Sequence, residues 1–202
     1  DSIKATRSIM RKIGTLSSKD LVLVVISGGG SALFTDPVSG VSLGDVKEMT
    51  EVLLRSGADI HEINTIRKHL DQVKGGRLAL RLQPAQIHTM ILSDVIGDRL
   101  DMIASGPTVP DPTTFQDALI IIDNYDLRDI LPKSIIQTLE KGQAGEIDET
   151  LKPEDFNTLN VKNHLVGTNI KAARAAKSKA ESLGFNSLII SSHLVGQTSD
   201  VA

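Results

Sequence analysis

Ser27-Gly28-Gly29-Gly30-Ser31 follows directly on a wholly apolar run, Leu21 to Ile26. Three glycines let successive backbone N–H groups turn toward one anion, and let a ligand approach without meeting a Cβ. A plain strand-to-helix connection does not need three, and each costs backbone entropy. The segment therefore reads as a phosphate or carboxylate cradle formed by Gly28, Gly29, Gly30 and Ser31. It is neither a Walker A loop nor a dinucleotide fingerprint, since G-x-x-x-x-G-K-[ST] and G-x-G-x-x-G are both absent. Nor is Ser31 a hydrolase nucleophile, because Leu33 stands where G-x-S-x-G requires its second glycine.

Further along come Asn64, Arg67, Lys68 and His69, then Lys74-Gly75-Gly76-Arg77. Asn64, Arg67, Lys68 and Asp71 share one helical face, and Lys74 lies two turns beyond Arg67. If the helix persists, Asn64, Arg67 and Lys74 aim at one anionic ligand, Arg as a fork and Lys as a point charge. Gly75-Gly76 then bares backbone donors at the start of a following helix. The plainer alternative is an amphipathic helix with a wet basic side. His61 and His69 read as ordinary polar side chains. After a second strand, Ser93-Asp94-x-x-Gly97-Asp98 offers two carboxylates, Asp94 and Asp98, suited to Mg²⁺, which keeps waters and accepts one or two carboxylates beside substrate phosphates. Its alternative is a turn that Asp94 caps. The loop Ala104-Ser105-Gly106-Pro107-Thr108 supplies hydroxyls and N–H groups but no activated nucleophile.

Periodicity predicts the elements that must position these residues. A helix runs from Ser2 to Gly14, and Leu21–Ile26 reads as a strand buried on both faces of a parallel sheet. Helices follow from Ser42 to Gly57 and from about Asp59, the latter interrupted at 74–76 and resuming over 77–82. Strand 87–95 is followed by a helix begun either by Asp111-Pro112 or by the capping box Thr113-x-x-Gln116. Another helix spans 132–141; strand 161–166, helix 169–183 and strand 188–192 complete the order. Alternating strands and helices predict one α/β domain over residues 1–202: a mostly parallel sheet with helices on both faces, a Rossmann-like three-layer arrangement incomplete at both ends. The chain opens inside a helical pattern without Met and stops just after Gly196–Asp200 begins a strand-to-helix turn, so it reads as a piece of a longer enzyme.

Composition narrows the chemistry. The 202 residues carry 22 Lys+Arg against 25 Asp+Glu, a net charge of −3, and no cysteine. Thiolate metal sites, thiol nucleophiles and disulfides are thereby excluded. The net charge is an average over two blocks. Residues 64–81 hold five basic residues and one acid, Asp71, whereas residues 94–129 hold eight Asp and two Arg. Such a pair of blocks can hold an anion beside a divalent cation, or simply be two solvated faces. Few aromatics and net acidity argue against nucleic acid as a partner. The six-residue apolar run is far short of the ~20 residues of a membrane span. No secretory leader opens the chain, so the expected location is cytoplasmic.

Four stretches together resemble the glycerate kinase family whose C-terminal domain is called MOFRL. They are Ile26–Leu33, Glu62–Leu70 with Lys74–Ala79, Leu92–Asp98 and Ile103–Thr114. The resemblance covers nearly the whole chain in order, as the core of the family's N-terminal domain. It omits an upstream Gly-Lys-Ala motif and the MOFRL domain. It implies ATP- and Mg²⁺-dependent phosphorylation of D-glycerate, with 2-phosphoglycerate favoured as product and this chain forming one wall of an interdomain cleft. In that reading Gly28–Ser31 cradle a phosphate or the glycerate carboxylate. Arg67 and Lys74 neutralise the transferring group, with Asn64 and Lys68 in support. Asp94 or Asp98 holds Mg²⁺ or takes the hydroxyl proton, and Ser105, Gly106 and Thr108 line the substrate or nucleotide. D-glycerate and a nucleotide are the expected partners, and a homodimer is allowed. The alternatives are a hydroxypyruvate reductase and a non-catalytic phosphate- or sugar-acid-binding domain.

Overall fold

The computed structural model describes residues 1–194. Three strands, β1 (Leu21–Ile26), β2 (Gln86–Leu92) and β3 (Val161–Gly167), form a parallel sheet in the order β1-β2-β3. Val24 pairs with Thr89, and Thr89 with Asn163. Helix α1 (Ser2–Ile13) precedes β1. Between β1 and β2 run α2 (Gly30–Leu33), α3 (Leu43–Arg55), α4 (Ile60–His69) and α5 (Arg77–Arg81). The return to β3 carries α6 (Phe115–Asn124) and α7 (Lys133–Gln143), and α8 (Asn169–Ser182) follows β3. The α/β class and the parallel sheet are those the alternation predicts.

Two cores hold the fold. Met49, Leu53, Ile63, Ile66, Phe115, Leu119, Ile122, Ile135 and Leu139 knit α3, α4, α6 and α7 into a helical cluster. A smaller core buries Leu78, Leu82 and Ile87 with Met10, Ile13, Val22, Val24 and Phe156, so α1 and α5 cover one face of the sheet. Side chains alternate across a strand, and the opposite face leaves Leu21, Leu23, Val25, Met90, Leu92 and Val166 exposed. The strand expected to be buried on both faces thus has one uncovered face among the described residues.

The caps explain several boundaries. Asp59 and Glu62 form a capping box that starts α4, and Ser42 with Asp45 starts α3. Helix α6 starts from a capping box of Thr114 and Asp117, one residue after the Thr113 signal and three after the Asp111 signal. Thr113 cannot serve, because its amide and hydroxyl both donate to Asp111 Oδ1, at 3.0 and 2.7 Å. Helix α7 runs past its predicted stop: Gly142 stays helical, with no room for a Cβ against Phe115. Residues 188–192 form no strand; Leu188 and Ile190 stand exposed, outside the three-stranded ladder. The turn expected at 196–200 lies outside the described residues.

Candidate functional site

The glycine loop leaves the carboxyl end of β1, where parallel sheets bind ligands. Gly29 takes φ 84°, a left-handed value that lets the chain fold straight into α2. Gly30 is required by a close approach. A Cβ there would lie 2.7 Å from the Cβ of Ala104, so the loop and the segment after β2 touch wall to wall. That second segment bends sharply, with Ala104, Ser105 and Gly106 in succession at φ 52°, 59° and 63°. A left-handed conformation costs about 1–2 kcal/mol for each residue bearing a Cβ, and surrounding contacts hold it. Gly75 N–H donates to Ser105 O at 3.0 Å and Gly76 N–H to Gly106 O at 2.8 Å. The donors expected to be bare at Gly75-Gly76 are therefore occupied in seating this wall.

Helix α4 ends at His69, so it does not carry Lys74. The expected convergence nevertheless occurs, because the chain turns back through an antiparallel bridge between Pro37 and Asp71. Arg67 Nη2 donates to Ser31 O at 2.8 Å. Lys74 Nζ donates to the same carbonyl at 2.9 Å and to Phe34 O at 2.8 Å. Ser105 Oγ lies 3.2 Å from both Ser31 Oγ and Asn64 Oδ1. Ser31, Asn64, Arg67, Lys74 and Ser105 are thus gathered at the glycine loop. Arg67 Nε is buried without a partner.

Electrostatics leave this cluster positive. The carboxylate that faces Lys74 Nζ is that of Asp71, with Oδ2 at 3.9 Å. Asp71 is held there by Thr35 Oγ1 and the amides of Asp36 and Val73. Burial lowers the Lys74 pKa to about 8, with Asp71 opposing the shift and Arg67 adding to it. Burial also lowers the pKa of Arg67, against the pull of Asp71. Two cations facing one carboxylate retain charge for an anion. Sequence reasoning gave Asp71 no role, although its standing as the sole acid in the basic block marked it.

Other predicted residues lie elsewhere or serve the frame. Lys68 is 2% exposed and spends its charge on Asp111, which is fully buried, at 2.6 Å. Thr108, 1% exposed, bonds Asn163 at 2.8 Å and Thr89 at 2.9 Å, tying the loop to the sheet rather than facing a ligand. Gly106 is buried, and a Cβ there would strike Val109 and the Asp101 backbone. His69 is fully buried between Glu149 Oε1, 2.8 Å from Nε2, and Thr65 O, 2.7 Å from Nδ1. Burial raises the Glu149 pKa, but hydrogen bonds and charge from His69, with two backbone amides, hold it at about 2.

Asp94 overhangs the glycine loop: a Cβ on Gly28 would lie 2.7 Å from Asp94 Oδ2. Asp98 follows in the same turn, at φ 54°. Among the described residues no three His, Cys, Asp or Glu side chains form a metal-binding cluster. An exposed carboxylate beside the glycine loop fits the one-or-two-carboxylate pattern of Mg²⁺, whose other ligands are waters and phosphate oxygens.

Residues 1–140 match the family described as "Domain of unknown function (DUF4147)". The chain belongs to that family. It is 46% identical over 199 residues to a glycerate 2-kinase of Pyrococcus horikoshii, covering 98% of this chain and 44% of that protein. A D-glycerate 2-kinase of Thermotoga maritima is 45% identical over 194 residues, covering 96% and 43%. The crystal structure of a glycerate kinase from Thermotoga maritima superposes with a TM-score of 0.79 at 45% identity, covering 94% of this chain and 42% of the other. The resemblance to glycerate kinases thus holds along nearly the whole chain, which spans less than half the length of these relatives. No helix among the described residues is long and apolar enough to cross a membrane.

Proposed function

We propose that this chain is the N-terminal part of a two-domain glycerate kinase and forms one wall of its active site, where ATP phosphorylates D-glycerate. The observation that carries the reading is the convergence of Arg67 and Lys74 on Ser31 O, at the end of a glycine loop. Phosphoryl transfer is largely positioning plus neutralisation of charge on the equatorial oxygens. Arg67 and Lys74 would do this by exchanging the Ser31 carbonyl for oxygens of the transferring group. The amides of Gly30 and Ser31, in the first turn of α2, have no helical acceptor and are free to bind a phosphate or carboxylate. Asn64 and Ser105 hold the two walls in register. Asp94, with Asp98 beside it, would hold Mg²⁺, which supplies further neutralisation of phosphate charge. Alternatively, Asp94 takes the proton of the attacking hydroxyl. The names of the two relatives favour the 2-hydroxyl as acceptor, and favour kinase over reductase chemistry.

The test is an assay of D-glycerate-dependent ATP consumption with the protein that carries this chain, with the product identified by ³¹P NMR. Arg67→Ala is expected to lower kcat by about 10²–10³, the range for removing one preorganised charge-stabilising donor. Activity within a few-fold of the parent would sink the role of Arg67, and Asp94→Asn with an unaltered Mg²⁺ dependence would sink that of Asp94.

A further inference from the structure

The last turn of α4 sends three consecutive side chains in three directions: Arg67 to the glycine loop, Lys68 to Asp111 and His69 to Glu149. We propose that Asp111, acting through Lys68, is a positioning residue that sets the reach of Arg67 toward Ser31. The activity readout below rests on the kinase reading; the structural readout does not.

The Lys68–Asp111 pair is poorly explained as a source of stability. Both groups are buried, and desolvating an ion pair consumes most of its Coulomb energy. The pair is also incompletely satisfied. Asp111 Oδ1 takes Lys68 Nζ together with the amide and hydroxyl of Thr113, while Oδ2 is buried without a hydrogen bond. An apolar pair of similar volume would avoid that cost.

Its location gives it a use. Lys68 is the residue after Arg67, so its anchor fixes the rotation of the turn that aims the guanidinium. Asp111 is itself fixed, its amide donating to Leu151 O at 2.7 Å. It lies six residues after Ser105, whose hydroxyl meets both Asn64 and Ser31. The pair therefore locks the two walls of the site, α4 and the 104–111 segment, at a 2.6 Å contact.

The test replaces the pair as a unit, Lys68→Met with Asp111→Leu, in the protein that carries this chain. Apolar replacement of a buried pair is commonly neutral or stabilising, and a thermal melt checks folding. A misaimed group costs up to about 10²-fold, so kcat for D-glycerate is expected to fall about ten- to a hundredfold, with KM nearly unchanged. Added to Arg67→Ala, the double replacement is expected to lower kcat no further, since both act through one side chain. A crystal structure of the double variant is expected to find Arg67 displaced from Ser31 O. A folded double variant with parental kcat, or with Arg67 still on Ser31 O, overturns the proposal. If the parent does not phosphorylate glycerate, the kinase reading fails and the position of Arg67 alone decides the inference. If the double variant does not fold, Asp111→Glu, which keeps the charges but lengthens the link by a methylene, is judged by the same measurements and outcomes.

Discussion

Lys68 and Lys74 lie six residues apart, both almost fully buried, yet their surroundings differ. Lys68 meets a buried carboxylate at 2.6 Å, whereas Lys74 meets two backbone carbonyls and faces the Asp71 carboxylate at 3.9 Å. A carbonyl accepts a hydrogen bond without cancelling the charge, so Lys74 remains able to attract an anion and Lys68 does not. In the proposed kinase, the contrast separates a cation that builds the frame from one held ready for a ligand. Burial and residue type alone do not make that distinction; the partner does.

The comparison can be broken in several ways. The largest effect is expected from Lys68→Met alone, which leaves Asp111 buried and unpaired. Breaking one side of such a pair costs about 3–5 kcal/mol, readable by urea denaturation. Lys74→Met is expected to be gentler on folding but to lower kcat by about 10²–10³. A result with the two effects exchanged would reverse the assignment of the two lysines.

Alkaline pH sharpens the contrast further. With the native Lys74 pKa at about 8 and the unfolded value at 10.5, the unfolded chain binds more protons between those values. Stability therefore rises with pH across that window, by about 3 kcal/mol from this group. Lys74→Met should abolish the rise, while affinity for inorganic phosphate should fall above pH 8 as the charge is lost. A smaller effect is expected at the acid end, where Glu149 is 34% exposed and solvent screens its interactions. Glu149 titrates at about 2 rather than 4.5, so its stabilising contribution is lost as pH falls from about 4.5 toward 2. Glu149→Gln should flatten that limb of the stability curve.

The sequence made most of the elements and the glycine loop legible because period, caps and turn residues are local signals, but the apolar run at 188–192 forms no strand. The α6 start was missed by one residue because Thr113 answers to Asp111, a contact invisible to local pattern. The gathering of Asn64, Arg67 and Lys74 was foreseen by the wrong route, along a helix that in fact ends at His69. Lys68 looked like a ligand because its partner lies 43 residues away. Thr108 looked exposed because Asn163, 55 residues away, is what it binds. The exposure of Val25 and Leu23 was not legible either, since an apolar run is the same whether one face or both are covered.

Those separations also bear on how the site comes into being. Ser31 and Ser105 are 74 residues apart, and Arg67 reaches Ser31 across 36. Each contact closes a long loop whose entropy must be met before the contact rewards it. A short fragment lacks the partners that hold the glycine loop, since they come from three distant parts of the chain. A ligand that bridges the glycine loop, Arg67 and Ser105 would accordingly act as a staple across distant parts of the chain, slowing global unfolding rather than local fraying.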